Sequence, residues 1–240
     1  MRLIIENLSV TINHKKIVEN LSITLNKGQI IGLFGPNGSG KSSAFYAIAG
    51  LCSPSSGSVF IEKDGIRIDT TYEPLFQKVT HGLGYLPQDR TLLTDLTTEE
   101  NIRAVIETQH DNRKNHDKFL EYLLDCFGLN GVRHNIGKYL SGGERRRCEL
   151  ACLLAHQPEY LLLDEPFAGI DPISIKQIKS ILCHLKQHHG ILITDHQVVE
   201  TMDICDEVFV MRNGHLMAQG TPESVRLHAD VQTYYLGENN

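Results

Sequence analysis

A chain of 240 residues, 41% hydrophobic and 22% charged, has the make-up of a soluble globular protein with one domain or a core plus a subdomain. Its net charge of −6 gives no electrostatic reason to expect a nucleic-acid partner. The sequence suggests neither a cleaved leader nor direct membrane insertion, and six cysteines without a CxxC pair fit a reduced, cytoplasmic setting.

In chain order, Leu3-Ile4-Ile5 and Leu21–Leu25 read as short strands, with a turn at Lys27-Gly28. The apolar run Ile30–Phe34 predicts a strand and Ser43–Ala49 a helix. Between them stands Gly35-Pro36-Asn37-Gly38-Ser39-Gly40-Lys41-Ser42. This is a G-x-x-x-x-G-K-[ST] loop, whose backbone N–H groups wrap a nucleotide's phosphates. The helix N-terminus behind it adds free N–H donors and partial positive charge. Lys41 can reach the terminal phosphates and the Ser42 hydroxyl can ligate Mg²⁺, with Ser43 counted among the nucleotide-binding residues.

Val59-Phe60-Ile61 and Ile66-Arg67-Ile68 flank Asp64-Gly65 as a hairpin. Residues 89 to 158 then turn helical, polar and loop-rich. Within them Leu140-Ser141-Gly142-Gly143-Glu144 leads into a helical pattern from Arg145 to Ala155. Ser141 can cap that helix, and Gly142 and Gly143 expose its N–H groups to a phosphate. Arg145, Arg146 and Arg147 oppose the dipole; for Arg146 and Arg147 a solvated face and a functional role both stay open. Cys148 and Cys152 read as small core residues.

Tyr160–Leu163 is a continuous apolar run of the kind buried on both faces of a parallel sheet. It ends in Asp164-Glu165-Pro166, which places two carboxylates at the sheet edge where the phosphate loop opens. Asp164 suits Mg²⁺, and Glu165 can accept a proton from an attacking water. Asp171 as N-cap and Pro172 at the first position open a helix with apolar Ile175, Ile178, Ile181, Leu182 and Leu185, ended by Gly190. His184 and His188 on it read as a solvated face, not a metal pair. Ile191–Thr194 gives another buried strand. Val208–Met211 and His215–Ala218 flank the hairpin signal Asn213-Gly214, and a short helix starts at Thr221-Pro222.

Together these motifs resemble the ATP-binding subunit of ABC transporters over essentially the whole chain. The residues that carry the resemblance are the phosphate loop, Leu140–Glu144 as the family signature, Tyr160–Glu165, Gln88 in Tyr85-Leu86-Pro87-Gln88, Asp171 in Ala168–Asp171, and His196 in Thr194-Asp195-His196. The resemblance implies an α/β P-loop fold with a RecA-like parallel core, an antiparallel β layer and an inserted helical subdomain. The implied division is 1–88 and 159–240 for the core and 89–158 for the subdomain. It also implies ATP and Mg²⁺ as ligands and two copies paired head to tail. Ser141, Gly142 and Gly143 of one copy would face the γ-phosphate held by the other's Lys41. Gln88 would serve Mg²⁺ and the attacking water, and His196 the γ-phosphate. Partners would be transmembrane permease subunits that hold the chain at the inner membrane, with Leu92-Leu93 read either as part of their docking groove or as ordinary core.

Within the family the strings Ser141–Arg147, Asp164–Ile173, Thr194–His196 and Tyr235–Glu238 look most like the branch that powers lipopolysaccharide export. Branched-chain amino-acid importers are the alternative inside the family, and a non-transport cassette the alternative outside transport. A GTPase lacks a use for the signature, and Asn26–Gln29 lacks the Asp needed for guanine. One departure stands out: Ile12 occupies the place where the family usually stacks an aromatic ring on adenine, which predicts weaker ATP binding.

Overall fold

The computed structural model describes residues 1–63, 65–109 and 115–236. Asp64, and the end of the Tyr235–Glu238 string from Gly237 on, lie outside the described residues. The chain opens with β1 (Arg2–Ile12) and β2 (Lys15–Asn26), at eleven and twelve residues longer than the short strands expected there. Their ladder shifts register between Ile5 and Leu8, and Asn7 and Asn20 take positive φ in these strands. Such bulges let a long ribbon twist around what it covers. With β4 (Ser56–Lys63) and β5 (Ile66–Asp69) they form an antiparallel sheet in the order β2-β1-β4-β5.

The second sheet contains β3 (Ile30–Phe34), β6 (Leu83–Leu86), β7 (Tyr160–Asp164), β8 (Gly190–Thr194), β9 (Glu207–Arg212) and β10 (His215–Gly220). Its order is β10-β9-β3-β8-β7-β6, parallel throughout except for β10. The apolar runs have two audiences. Leu161, Leu163, Ile191 and Ile193 face one core cluster, while Tyr160, Leu162 and Leu192 face another shared with the antiparallel sheet and with Phe45 and Ile48. Each such side chain contributes about 1.5–3 kcal/mol on burial.

The helices are α1 (Lys41–Ala49), α2 (Leu75–Thr80), α3 (Thr98–Gln109), α4 (His116–Cys126), α5 (Gly142–Ala155), α6 (Pro172–Leu185), α7 (Val198–Met202), α8 (Pro222–Arg226) and α9 (Ala229–Val231), followed by a π turn over Gln232–Leu236. Helices α3, α4 and α5 pack on one another and, through Leu120, Leu123, Cys148 and Leu154, on the cluster beneath the parallel sheet. The α/β fold read from the sequence, with its parallel core, antiparallel layer and helical insertion, is the fold observed.

Several local expectations change. Helix α6 ends at Leu185, and Gly190 is the first residue of β8 instead of a helix stop. Strand β6 and helix α2 were not anticipated, and the chain continues in helical turns beyond α8. Arg146 and Arg147 are buried, at 7% and 9% exposure, so they are no solvated face. Cys148 is fully buried and Cys152 half-buried, while His184 and His188 are exposed. Thr221 and Asp171 cap α8 and α6 as expected, and Asn213 and Gly214 both take positive φ in the β9–β10 turn, as a type I′ hairpin requires.

Candidate active site

The strand order decides what meets what. In β3-β8-β7-β6 all four strands are parallel, so their C-terminal ends open on the same edge. Strand β3 delivers the loop 35–42, β8 delivers Asp195-His196, β7 delivers Asp164-Glu165, and β6 delivers Pro87-Gln88. Residues 35 to 196 are thereby gathered at one sheet edge, the usual ligand position of open parallel sheets.

Two of the loop's glycines, Gly35 and Gly40, are dictated by close packing. Gly35 has φ 146, and a Cβ there would lie 2.2 Å from the Met211 carbonyl oxygen of β9. Gly40 has φ 106, and its Cβ would lie 2.5 Å from the Ile17 carbonyl oxygen of β2. The Gly214 N–H donates to the Ser39 carbonyl at 3.0 Å, so the hairpin tip ties down the loop's second half. Lys41 Nζ donates to the Gly35 carbonyl at 2.7 Å and to that of Pro36 at 3.1 Å. Burial pushes the Lys41 ammonium down, while the nearby Glu165 and Asp164 carboxylates hold it up. Ser39 Oγ is buried and has no hydrogen-bond partner among the described residues. An orphan hydroxyl, a buried ammonium and the start of α1 suit a polyanion. Pro36 is half-buried and Ser43 likewise, whereas Asn37, Gly38 and Ser42 lie open to solvent.

Opposite stand the carboxylates. Asp164 is 2% exposed; burial pushes its carboxyl up, against the hydrogen bond that Tyr85 Oη donates to Oδ2 at 3.3 Å. Glu165 has φ 50, a left-handed conformation that costs a β-carbon residue about 1–2 kcal/mol. Its own backbone N–H donates to the Thr194 carbonyl at 2.8 Å. Both carboxylate oxygens are engaged: Gln88 Nε2 donates to Oε2 at 2.8 Å, and His196 Nε2 lies 2.8 Å from Oε1. Gln88, Glu165 and His196, placed together by the sequence reading, are in direct contact. Oxygen donors at Ser42, Gln88 and Asp164, with Asp164 buried, are of the hard type that Mg²⁺ takes.

Ser141–Gly143 and Ile12 make no hydrogen bond to this cluster among the described residues. Ser141 caps α5 in a full capping box, its N–H and hydroxyl donating to Glu144 Oε2 at 2.8 and 2.7 Å. Those hydrogen bonds draw the Glu144 carboxyl below the usual range. Gly142 and Gly143 pack against the loop before α6 and against α6 itself: a Cβ on Gly143 would lie 2.0 Å from Ser174 Oγ. Ile12 ends β1 opposite Lys15 and is 48% exposed. Leu92 packs on the core and Leu93 is exposed; together with Tyr85, Val105, Glu149 and Cys152 they line a groove of about 400 Å³. Ordinary core packing thus describes Leu92 but not Leu93.

Sequence reasoning missed the residue that braces the centre. All five N–H groups of Arg146 are used. Nε donates to the Pro166 carbonyl at 3.2 Å, and Nη2 to those of Asp164 at 3.0 Å and Glu165 at 3.1 Å. Nη1 donates to the Pro87 carbonyl and to Glu149 Oε2, both at 3.0 Å. Glu149 Oε1 in turn accepts from the Thr91 N–H at 3.2 Å. One guanidinium thus spans α5, the turn carrying Gln88 and the end of β7. The signal was an arginine in a helix that also holds apolar Cys148, Leu150 and Ala151, but which arginine faces in depends on the insertion's packing.

Comparison with known proteins agrees with this geometry. Residues 18–168 match the family described as ABC transporter. The chain is 41% identical to the lipopolysaccharide export system ATP-binding protein LptB of Haemophilus influenzae over 97% of this chain and 96% of that one. Against the protein of the same name from Escherichia coli it is 39% identical, over 99% and 92%. Among solved structures, an ATP-binding cassette of an ABC transporter in its ADP conformation superposes with a TM-score of 0.86 at 25% identity, covering 99% of both chains. With its phosphate loop, paired carboxylates and this full-length kinship, the chain belongs to the ABC transporter family as an ATP-hydrolysing cassette.

Proposed function

We propose that this chain powers lipopolysaccharide export, working at the inner membrane as a head-to-tail pair of copies attached to permease subunits. The observation that carries the reading is the Gln88–Glu165–His196 cluster beside Lys41, in a chain similar from end to end to lipopolysaccharide export ATP-binding proteins. The signature residues Ser141–Gly143 cap and open α5 and make no hydrogen bond to that cluster among the described residues, which favours a site completed by a second copy. In this reading residues 89–158 form the subdomain that meets the permeases, with the groove around Leu92 and Leu93 as the docking place. Among the described residues no helix is long and apolar enough to cross a membrane, consistent with attachment through other chains.

The residues divide the chemistry as follows. The loop 35–42 and the start of α1 bind the triphosphate, and Lys41 gives up its carbonyl partners for the terminal phosphates. Ser42, Gln88 and Asp164 would hold Mg²⁺, which when bound neutralises charge on the transferring phosphoryl group. Glu165 takes the proton of the attacking water. Since Gln88 and His196 occupy both its oxygens, one of them must let go first, and the natural partner for the released His196 is the γ-phosphate. Withdrawal of His196 to the γ-phosphate then frees Oε1 to accept the water's proton.

The test is the Glu165→Gln variant in the complex with its permeases. Turnover should vanish while ATP binding persists and a closed pair accumulates. Hydrolysis near the wild-type rate would remove Glu165 from the role of base.

A further inference from the structure

His196 sits between two residues that grip a single residue of another loop, Phe167, through its N–H and its carbonyl. Asp195, 1% exposed, accepts the Phe167 N–H on Oδ2 at 2.8 Å and the Gln197 N–H on Oδ1 at 2.9 Å. Gln197 Nε2 donates to the Phe167 carbonyl at 3.1 Å. Both polar groups of Phe167 are therefore held from the His196 loop, while its ring is fully buried beneath the sheet. The Gln197 carbonyl is itself held, accepting from Thr201 Oγ1 at 2.8 Å. Gln197 occupies the N-cap position of α7, yet its side chain makes no cap hydrogen bond and spends its amide on Phe167.

Phe167 starts the loop Ala168–Asp171 that leads into α6. That loop abuts the signature: the Gly169 carbonyl oxygen lies 3.2 Å from where a Gly142 Cβ would stand. A continuous route thus runs from Glu165 through His196 and its two neighbours to Phe167, and along the loop to Gly142. It joins the phosphate-loop half of the site to the signature half within one chain.

We infer that Gln197 is a positioning residue: with Asp195 it clamps Phe167 so that the His196 loop and the Ala168–Asp171 loop move as one body. The inference rests on the reading that two copies pair and that each chain lends its signature to the other's ATP. Under that reading, release of His196 toward one ATP shifts the loop beside Gly142, which serves the other ATP. The clamp is then what makes the two sites cooperate. Gln197 touches no reacting group in this arrangement; it acts through His196 and Phe167.

The experiment uses the complete transporter with Gln197→Met, which keeps the side-chain length and removes the donor, and Gln197→Glu, which puts an acceptor against the Phe167 carbonyl. For both, kcat should fall about tenfold or more with KM for ATP within about twofold, the pattern of misplacement without lost binding. The Hill coefficient for ATP should fall toward one, since the coupling between sites is what is removed. A variant with unchanged kcat and Hill coefficient overturns the clamp. So does a pair of variants that lose thermal stability and activity together with no change in Hill coefficient, because that is a structural role only. Glu165→Gln assayed beside them separates the two readings. If wild type shows no Glu165-dependent turnover, the proposed function fails. If it does and Gln197→Met matches wild type, the clamp alone fails.

Discussion

Replacing Arg146 by lysine keeps a positive charge opposite Glu149 but exchanges a planar fork of five donors for a point charge with three. The guanidinium serves four backbone carbonyls and one carboxylate from a position 7% exposed to solvent. At least two acceptors lose their partner. At about 1 kcal/mol per hydrogen bond, plus the cost of leaving buried carbonyls unpaired, Arg146→Lys should cost about 3 kcal/mol. For a chain of this size that is a fall in Tm of roughly 6–12 °C. Arg146→Met is harsher, because it strands the Glu149 carboxylate at 4% exposure, a loss of about 3–5 kcal/mol. Catalysis should suffer beyond stability. The carbonyls released belong to Pro87, Asp164, Glu165 and Pro166, so Gln88 and Glu165 lose their shared brace. The assay is ATP turnover well below the variant's Tm, alongside urea unfolding. A kcat reduced about tenfold with KM retained fits displacement of the base by a fraction of an ångström. Arg146→Lys with stability within about 0.5 kcal/mol of wild type and unchanged kcat would refute the brace.

Ile12→Tyr should tighten ATP binding by about 1 kcal/mol or more, roughly fivefold in Kd by equilibrium titration; an unchanged Kd removes Ile12 from the base-binding place. Lys78 on α2 is fully buried and donates to the Ile48 carbonyl at 2.9 Å; burial pushes its ammonium down to about 8, against the pull of Glu73 and Asp69. Below pH 8 it is charged in both folded and unfolded states and its desolvation cost is complete. Between about 8 and 10.5 only the unfolded chain keeps the proton, so the cost fades as pH rises. The stability of wild type relative to Lys78→Met should therefore climb by about 3 kcal/mol over that range in urea unfolding, and a flat difference would contradict it.

Strands β3, β7 and β8 were legible because Ile30–Phe34, Tyr160–Leu163 and Ile191–Ile193 are continuous apolar runs, the pattern of a sheet buried on both faces. The phosphate loop, Asp164 and Glu165 were legible because their neighbours in the chain supply their context. The capping residues Ser141, Asp171 and Thr221 were legible because a cap is a local bond. What escaped is set at long range. Strand β6 is four residues long, with half-buried Tyr85 inside it, and gains its place only by pairing with β7. Arg146 reads as one of three equal arginines until α5 is docked against the turn at Pro87. Gln197 carries no local signal at all, since its partner lies thirty residues back along the chain.

The clasp around the phosphate loop has a consequence for what a fragment of this protein could do. The Ile17 carbonyl of β2 stands within 2.8 Å of where Cβ atoms would be on both Gly40 and Gly214, and the Met211 carbonyl of β9 presses on Gly35. The mould that shapes the loop is thus cast by segments near both ends of the described chain. An excised β3–loop–α1 peptide would carry every motif residue and none of the mould. The packing around the loop is therefore complete only when the β9–β10 hairpin has closed on it, and in chain order that hairpin comes about 170 residues after the loop.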